Sequence, residues 1–180
     1  MEHYATLPLE TRLERLRHTP DEIAVAIETC TDVTLGRRPA PTSWSATEII
    51  CHLRDVEELF LTRFQTFLAM DEPKILSFGA RPEDLAEWGI GGDVGNPLDP
   101  DRWAEDRQYA RCDGRQALAA FRRRRAEVLA FLRALSDRQW RRGGIHPTRG
   151  RMTMSDYASA LAGHDDNHFD QLKRALGGQA

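Results

Sequence analysis

Gly163-His164-Asp165-Asp166-Asn167-His168-Phe169-Asp170-Gln171 lies inside a run, from about Thr153 to Leu176, whose apolar residues recur at helical spacing. Met154, Tyr157, Leu161, Leu172 and Leu176 fall on one face, and His164 and His168 fall on it with them. Two imidazoles four residues apart lie one turn apart on a helix. At that spacing two ring nitrogens can hold one metal ion. The alternative is two polar histidines on a bundle face. A buried imidazole without a partner is costly, which favours the metal. A third ligand must come from elsewhere, and four other histidines exist. His52 is the best placed, because it also sits in a strongly helical segment.

Outward from this stretch, the chain reads as helices joined by turns. Leu7 to about Leu35 is helical, and Thr19-Pro20-Asp21-Glu22 reads as a capping box that kinks or divides it. Pro39 and Pro41 mark a turn. Ser45 and Glu48 form a second capping box, with Trp44 ahead of it, and open a helix to about Met70. Its stripe is Ile49, Leu53, Val56, Phe60, Phe64, Phe67 and Leu68. His52 adjoins that stripe and should point inward or to the bundle edge. Asp113 and Gln116 cap a helix to Leu135, whose apolar face contains one odd member, Arg125. A short turn is predicted at Ser136–Trp140 and a loop at Arg141–Arg151. Thr153 with Asp156 caps the final helix, which Gly177-Gly178 ends. No stretch alternates as a strand does. The expectation is an all-α four-helix bundle with a long irregular crossover, residues 71–112, between its second and third helices. That crossover reads either as a lid over one bundle end or as a surface excursion.

The 180 residues suit a single domain, 1–180, with no internal repeat. With 41% hydrophobic and 29% charged residues the chain has the balance of a globular protein. A net charge of −3 gives no reason to expect nucleic-acid binding. The run Arg122–Arg125 reads as a solvated helix surface. No apolar run is long enough for a membrane span, and the first residues lack the apolar core of a secretory signal. Cys30, Cys51 and Cys112 form neither a disulfide framework nor a metal knuckle, so a reducing cytoplasm is expected. Cys51 reads as a small core residue and His146 as a loop-surface histidine. His3 and His18 have no supporting context.

Three imidazoles with open positions describe a catalytic rather than a closed structural site, suited to Zn, Ni, Fe or Cu. Ligand histidines usually donate their second N–H to a neighbour. Helical phase offers Glu48 and Asp55 to His52, and Gln171 to His168. Capping alone accounts equally well for Glu48, and an ordinary interhelical hydrogen bond for Gln171. His164-Asp165-x-x-His168 differs from the zinc-protease helix in its shorter acid and in lacking a third ligand at protease spacing, so a protease is not expected.

Three segments together carry a resemblance. They are Trp44-Ser45-x-x-Glu48-Ile49-x-x-His52-Leu53-x-Asp55-x-Glu57, His146-Pro147-x-x-Gly150-Arg151-x-Thr153, and Ala162-x-His164-Asp165-x-x-His168-x-x-Gln171-Leu172. From about Leu9 to Leu176 the chain resembles the DinB-like (YfiT-like) superfamily. The resemblance implies a four-helix bundle of unusual connectivity, often a homodimer. It also implies a divalent metal, commonly Ni or Zn, on His52, His164 and His168. Characterised members include thiol-dependent transferases using bacillithiol and a mycothiol-dependent maleylpyruvate isomerase. The expected function is therefore a metal-dependent enzyme acting on a small molecule by thiol S-transfer or hydrolysis, with a low-molecular-weight thiol as possible cosubstrate. The alternatives are a non-catalytic metal-bound module, in stress response or partner binding, and a metal-free bundle.

Overall fold

The computed structural model describes residues 2–78, 80–90 and 98–180. In chain order the helices are α1 (Glu2–Ala5), α2 (Leu9–Ile27), α3 (Asp32–Gly36), α4 (Ala46–Ala69), α5 (Pro82–Ala86), α6 (Pro100–Asp106), α7 (Gly114–Arg133), α8 (Asp137–Trp140) and α9 (Met154–Leu176). The strands β1 (Gly143–His146) and β2 (Gly150–Thr153) lie between α8 and α9. The four long helices α2, α4, α7 and α9 form the bundle.

Its connectivity follows from which residues meet. Thr47 lies against Gly114, Glu57 against Arg125, and Phe64 against Phe131, so α4 and α7 run parallel. Arg12 meets Ser155 and Thr19 meets Asp165, so α2 and α9 are parallel too. His52 meets His164 while Phe67 meets Tyr157, which sets α4 antiparallel to α9. Parallel neighbours cannot be joined by a short turn. A helix as long as α4 spans about 36 Å at 1.5 Å per residue, and the chain must retrace that length before α7 can start. The long crossover exists for this reason. Gly79 and residues 91–97 of it lie outside the described residues.

The capping boxes at Ser45/Glu48 and Thr153/Asp156 are present, and Asp113 caps α7 through the amides of Arg115 and Gln116. The one expected at Thr19 is not. Helix α2 runs unbroken through Pro20, and Thr19 is buried, its hydroxyl donating to Asp165. A proline inside a helix leaves the carbonyl four residues earlier without its amide. Here that carbonyl belongs to Leu16, and it accepts from the Arg125 guanidinium at 2.6 Å. The break that local sequence suggested is thus a socket for a buried arginine.

Arg125 also corrects the reading of its basic run. Arg122 pairs with Asp21 at the surface, but Arg125 is 2% exposed and bonds both Glu57 and Asp165. Thr19, Glu57, Arg125 and Asp165 form a polar layer across the bundle. On one side lie Leu16, Val56, Phe60, Phe64, Val128 and Leu161; on the other lie Ile23, Ile49, Leu53, Leu118, Phe121 and Leu172.

The expected loop at Arg141–Arg151 is a β-hairpin, registered Gly143 opposite Thr153 and His146 opposite Gly150. Its strands have four residues each and are rich in glycine, so no alternation was available to read. A side chain at Gly143 would overlap the Met152 carbonyl, and one at Gly144 would strike the Pro73 carbonyl and the Phe67 ring. The start of the crossover joins this sheet: Ile145 donates to the Pro73 carbonyl and Ile75 to the Ile145 carbonyl. The hairpin thus holds residues 73–78 close to the N-terminal half of α9.

Candidate metal centre

Three helical turns create the site. His52 occupies the second turn of α4, and His164 and His168 occupy successive turns of α9. Because α4 and α9 are antiparallel neighbours, their inner faces bring the rings together. His52 Nε2 and His164 Nε2 are 3.1 Å apart. The His168 ring centroid lies 4.6 Å from that of His52 and 4.3 Å from that of His164. One nitrogen from each ring falls in a group whose members are all within 4.8 Å of one another. Nitrogens bonded at about 2.05 Å to a shared ion sit about 3.3 Å apart. The 3.1 Å pair is already close to that spacing, and the third nitrogen lies within 4.8 Å of both.

The electrostatics suit a cation. Burial, and then the neighbouring His168, push the His52 pKa down to about 3. Burial first, then His168 and His52, hold His164 well below its ordinary value. Burial also lowers His168, against the opposing hydrogen bond to Gln171. All three are therefore neutral at pH 7, the state in which imidazole ligates metal. His168 Nδ1 lies 2.7 Å from Gln171 Oε1, an acceptor, so Nδ1 carries the proton and Nε2 presents its lone pair. His52 Nδ1 and His164 Nδ1 are buried and have no protein partner among the described residues. The donor set fits a divalent transition metal.

The other two residues offered by helical phase face elsewhere. Glu48 caps α4 through Ser45 and pairs with Arg38. Asp55 accepts from Tyr109 and pairs with Arg54, Arg107 and Arg124. Burial alone would raise its carboxyl, but those partners outweigh burial and hold it down at about 2. Neither carboxylate hydrogen-bonds an imidazole.

The centre opens onto two clefts. One, about 490 Å³, has His52, His168, Trp44, Gln171, Asp101 and Arg174 in its walls. Trp44 lies parallel to the His168 ring at 6.4 Å, and its indole N–H donates to Asp101 at 3.0 Å. The second, about 420 Å³, is lined by Arg63, His146, Tyr157 and Ser77. Both clefts share Phe78, His164 and Asn167. The crossover therefore supplies walls of the site through Phe78 and Asp101. His146, expected on the surface, is 9% exposed. Its Nδ1 accepts from the Thr148 and Arg149 amides, so its Nε2–H donates to Ser77 at 2.8 Å. Arg63 and Tyr157 were not singled out from the sequence. The available signal was Arg63 itself, a charged residue in phase with Phe60, Phe64 and Phe67.

The DinB superfamily model matches residues 15–172. The chain belongs to the DinB superfamily. Among its DinB relatives is YfiT of Bacillus subtilis (strain 168), whose name proposes a metal-dependent hydrolase; the two are 24% identical over 92% of this chain and 84% of YfiT. The solved structure of YfiT, described as an unusual four-helix-bundle topology, superposes with a TM-score of 0.74 at 22% identity, over 96% of this chain and 89% of that one. The crystal structure of the mycothiol-dependent maleylpyruvate isomerase has a TM-score of 0.66 at 13% identity, over 94% of this chain and 62% of that one. Among the described residues no helix is long and apolar enough to cross a membrane.

Acid should weaken this DinB fold in a defined window. His52 has a folded pKa of about 3 against an ordinary 6.5, and burial and Arg149 push His146 down to about 4. A depressed folded pKa means that the unfolded chain binds the proton more tightly. Stability is then complete above about 6.5 and falls as the pH drops toward the folded values. Each such histidine contributes a slope of up to about 1.4 kcal/mol per pH unit. Urea titrations of metal-free protein at pH 7.5 and 5.5 should show a lower midpoint at 5.5. Equal midpoints would contradict neutral burial of these rings.

Proposed function

We propose that His52, His164 and His168 bind one divalent metal ion and that the protein is a metal-dependent enzyme acting on a small molecule by thiol S-transfer or hydrolysis. One observation carries this reading: three imidazoles held neutral converge at the junction of two ligand-sized clefts, with no carboxylate hydrogen-bonded to them among the described residues. A site ringed by three neutral ligands and open on the cleft side has room for a guest. When bound there, a divalent ion supplies Lewis acidity, which lowers the pKa of a thiol or water toward neutrality.

The chain's own residues do the rest. Gln171 accepts the Nδ1–H of His168 and fixes which of its nitrogens faces the centre. Trp44 and Phe78 pack against the His52 ring at 5.0 and 5.8 Å and limit solvent on that side. The name of YfiT and the thiol dependence of the maleylpyruvate isomerase support the same chemistry. Ni or Zn as the metal, and a low-molecular-weight thiol as cosubstrate, belong to this proposal. So do a homodimer and a cytoplasmic location, where three free cysteines are at ease.

The test is metal analysis of untagged protein, followed by a screen of low-molecular-weight thiols against electrophiles and of simple esters and amides. About one metal per chain and a turnover lost in His52→Ala are expected. Stoichiometric metal without turnover on any substrate would point to a non-catalytic module. Absence of metal, with His52→Ala unchanged in uptake and rate, would end the proposal.

A further inference from the structure

The second cleft contains a cation for which the described residues supply no counter-charge. Arg63 is 5% exposed. It follows Phe60 by three residues and precedes Phe67 by four, and so shares their inward face of α4. Among the described residues its hydrogen bond goes to the Leu76 carbonyl, and no carboxylate pairs with it. Its guanidinium lies 5.2 Å from the Phe60 ring and 5.9 Å from the Tyr157 ring. Burial pushes its pKa down to about 10. Beside it the Tyr157 hydroxyl, on a residue 3% exposed, has no hydrogen-bond partner among the described residues. Arg125, also buried, has two carboxylates. An unpaired buried charge and an unpaired buried hydroxyl each cost free energy. Here both line one cavity, with His164 and Asn167 in the same wall.

We propose that this cavity is a carboxylate pocket, in which Arg63 and Tyr157 bind one carboxylate of a small organic acid and hold its carbon chain against His164. That orientation relative to the metal centre rests on the function proposed above; the pocket itself does not. The charge balance selects the ligand. Arg63 offers a buried full positive charge, and Tyr157 one further donor. His146 adds none, because its Nδ1 is occupied as an acceptor and burial holds the ring neutral. The exposed Arg149 also lines the cavity. Phe60, Phe78, Met152 and Ala160 give apolar walls for a short carbon skeleton. A cavity of about 420 Å³ matches a small molecule.

The experiment titrates butyrate, with butyramide and 1-butanol as uncharged counterparts, into metal-free and metal-loaded protein, read by saturation-transfer NMR and by the shift in Tm. Butyrate should bind about tenfold or more tightly than either counterpart in both forms, as expected for hydrogen bonds to a charged group. Arg63→Met should reduce butyrate to the level of the amide. Tyr157→Phe should weaken it about fivefold. Equal binding of acid and amide, tighter binding of inorganic phosphate than of butyrate, or full affinity in Tyr157→Phe would each overturn the assignment. The tyrosine variant removes one oxygen and keeps the packing, so it decides the matter even if Arg63→Met does not fold. Carboxylate preference in protein that takes up no metal would refute the metal centre and leave the pocket standing. Stoichiometric metal without carboxylate preference would do the reverse.

Discussion

Untagged protein carrying His164→Ala is expected to hold less than about a tenth of the metal bound by the parent. His164 stands nearest the meeting point: its Nε2 is 3.1 Å from that of His52, and its ring is the one that lies between both clefts. Without it, His52 and His168 remain as two neutral donors, and two imidazoles hold a divalent ion far less tightly than three. Gln171→Leu provides the graded comparison. It leaves all three ligands and removes only the acceptor of the His168 Nδ1–H. Loss of such an orienting partner typically costs about 10–100-fold in affinity. That variant should therefore fill at excess metal but empty first under a competing chelator. Fold integrity separates this outcome from collapse. Among the described residues His164 Nδ1 has no protein partner, so in the metal-free protein the substitution removes one contact, the 3.1 Å approach of its Nε2 to His52 Nε2. Metal-free His164→Ala should still unfold in one cooperative urea transition, at a midpoint lowered by the equivalent of about 1–3 kcal/mol. Stoichiometric metal in this variant, measured by plasma mass spectrometry, would remove the centre from these residues.

Much of this arrangement was legible because it is written in short-range patterns. Helical phase placed His164 and His168 on one face and His52 beside a buried stripe. Caps at Ser45, Asp113 and Thr153 depend on residues two or three positions away, so local reading found them. What failed needed knowledge of the neighbours. Thr19-Pro20-Asp21-Glu22 has the letters of a helix start, yet the Leu16 carbonyl that Pro20 releases is taken by Arg125 from another helix. Sequence carries no trace of that bond. The β-hairpin escaped because its pairing relies on the absence of side chains at Gly143 and Gly144, and on backbone bonds to residues 73–75.

The orienting partners show the same division. Glu48, Asp55 and Gln171 all stand three or four residues from a candidate ligand, and phase alone treats them alike. Only Gln171 bonds its histidine. Asp55 is drawn away by Arg54, Arg107 and Arg124, and Arg107 comes from the end of α6 in the crossover. A carboxylate surrounded by guanidinium groups gains more from them than from a neutral imidazole. Arg63 reverses the case. It is a residue whose phase was visible and whose meaning was not, because an arginine on an apolar face can be either paired or waiting for a ligand. Arg125 and Arg63 sit on such faces, and only the contacts distinguish the two roles.

Arg125→Met should be the most destabilising single change in the bundle core, by about 3–5 kcal/mol, the cost of breaking a buried ion pair from one side. The side chain is 2% exposed and bonds Glu57, Asp165 and the Leu16 carbonyl together. Methionine fills much of the volume, so the loss is electrostatic rather than a cavity. Glu57 and Asp165, 1% and 0% exposed, would be left as two neighbouring carboxyls without a cation. Burial already raises the Glu57 pKa against the pull of Arg125. Without that pull the Glu57 pKa rises further. Its folded pKa then lies above the unfolded one, so this carboxyl's contribution to the variant's stability is greatest below the unfolded pKa and is lost as the pH rises toward the folded one, opposite in sign to the histidine effect. For a chain of this size the loss corresponds to a Tm lower by roughly 10 °C. Adding Glu57→Leu and Asp165→Asn to Arg125→Met should restore much of the loss, because apolar or neutral replacements of a whole buried ion cluster are often tolerated. A singly substituted Arg125→Met protein within about 1 kcal/mol of the parent would mean that the buried layer is not ionised.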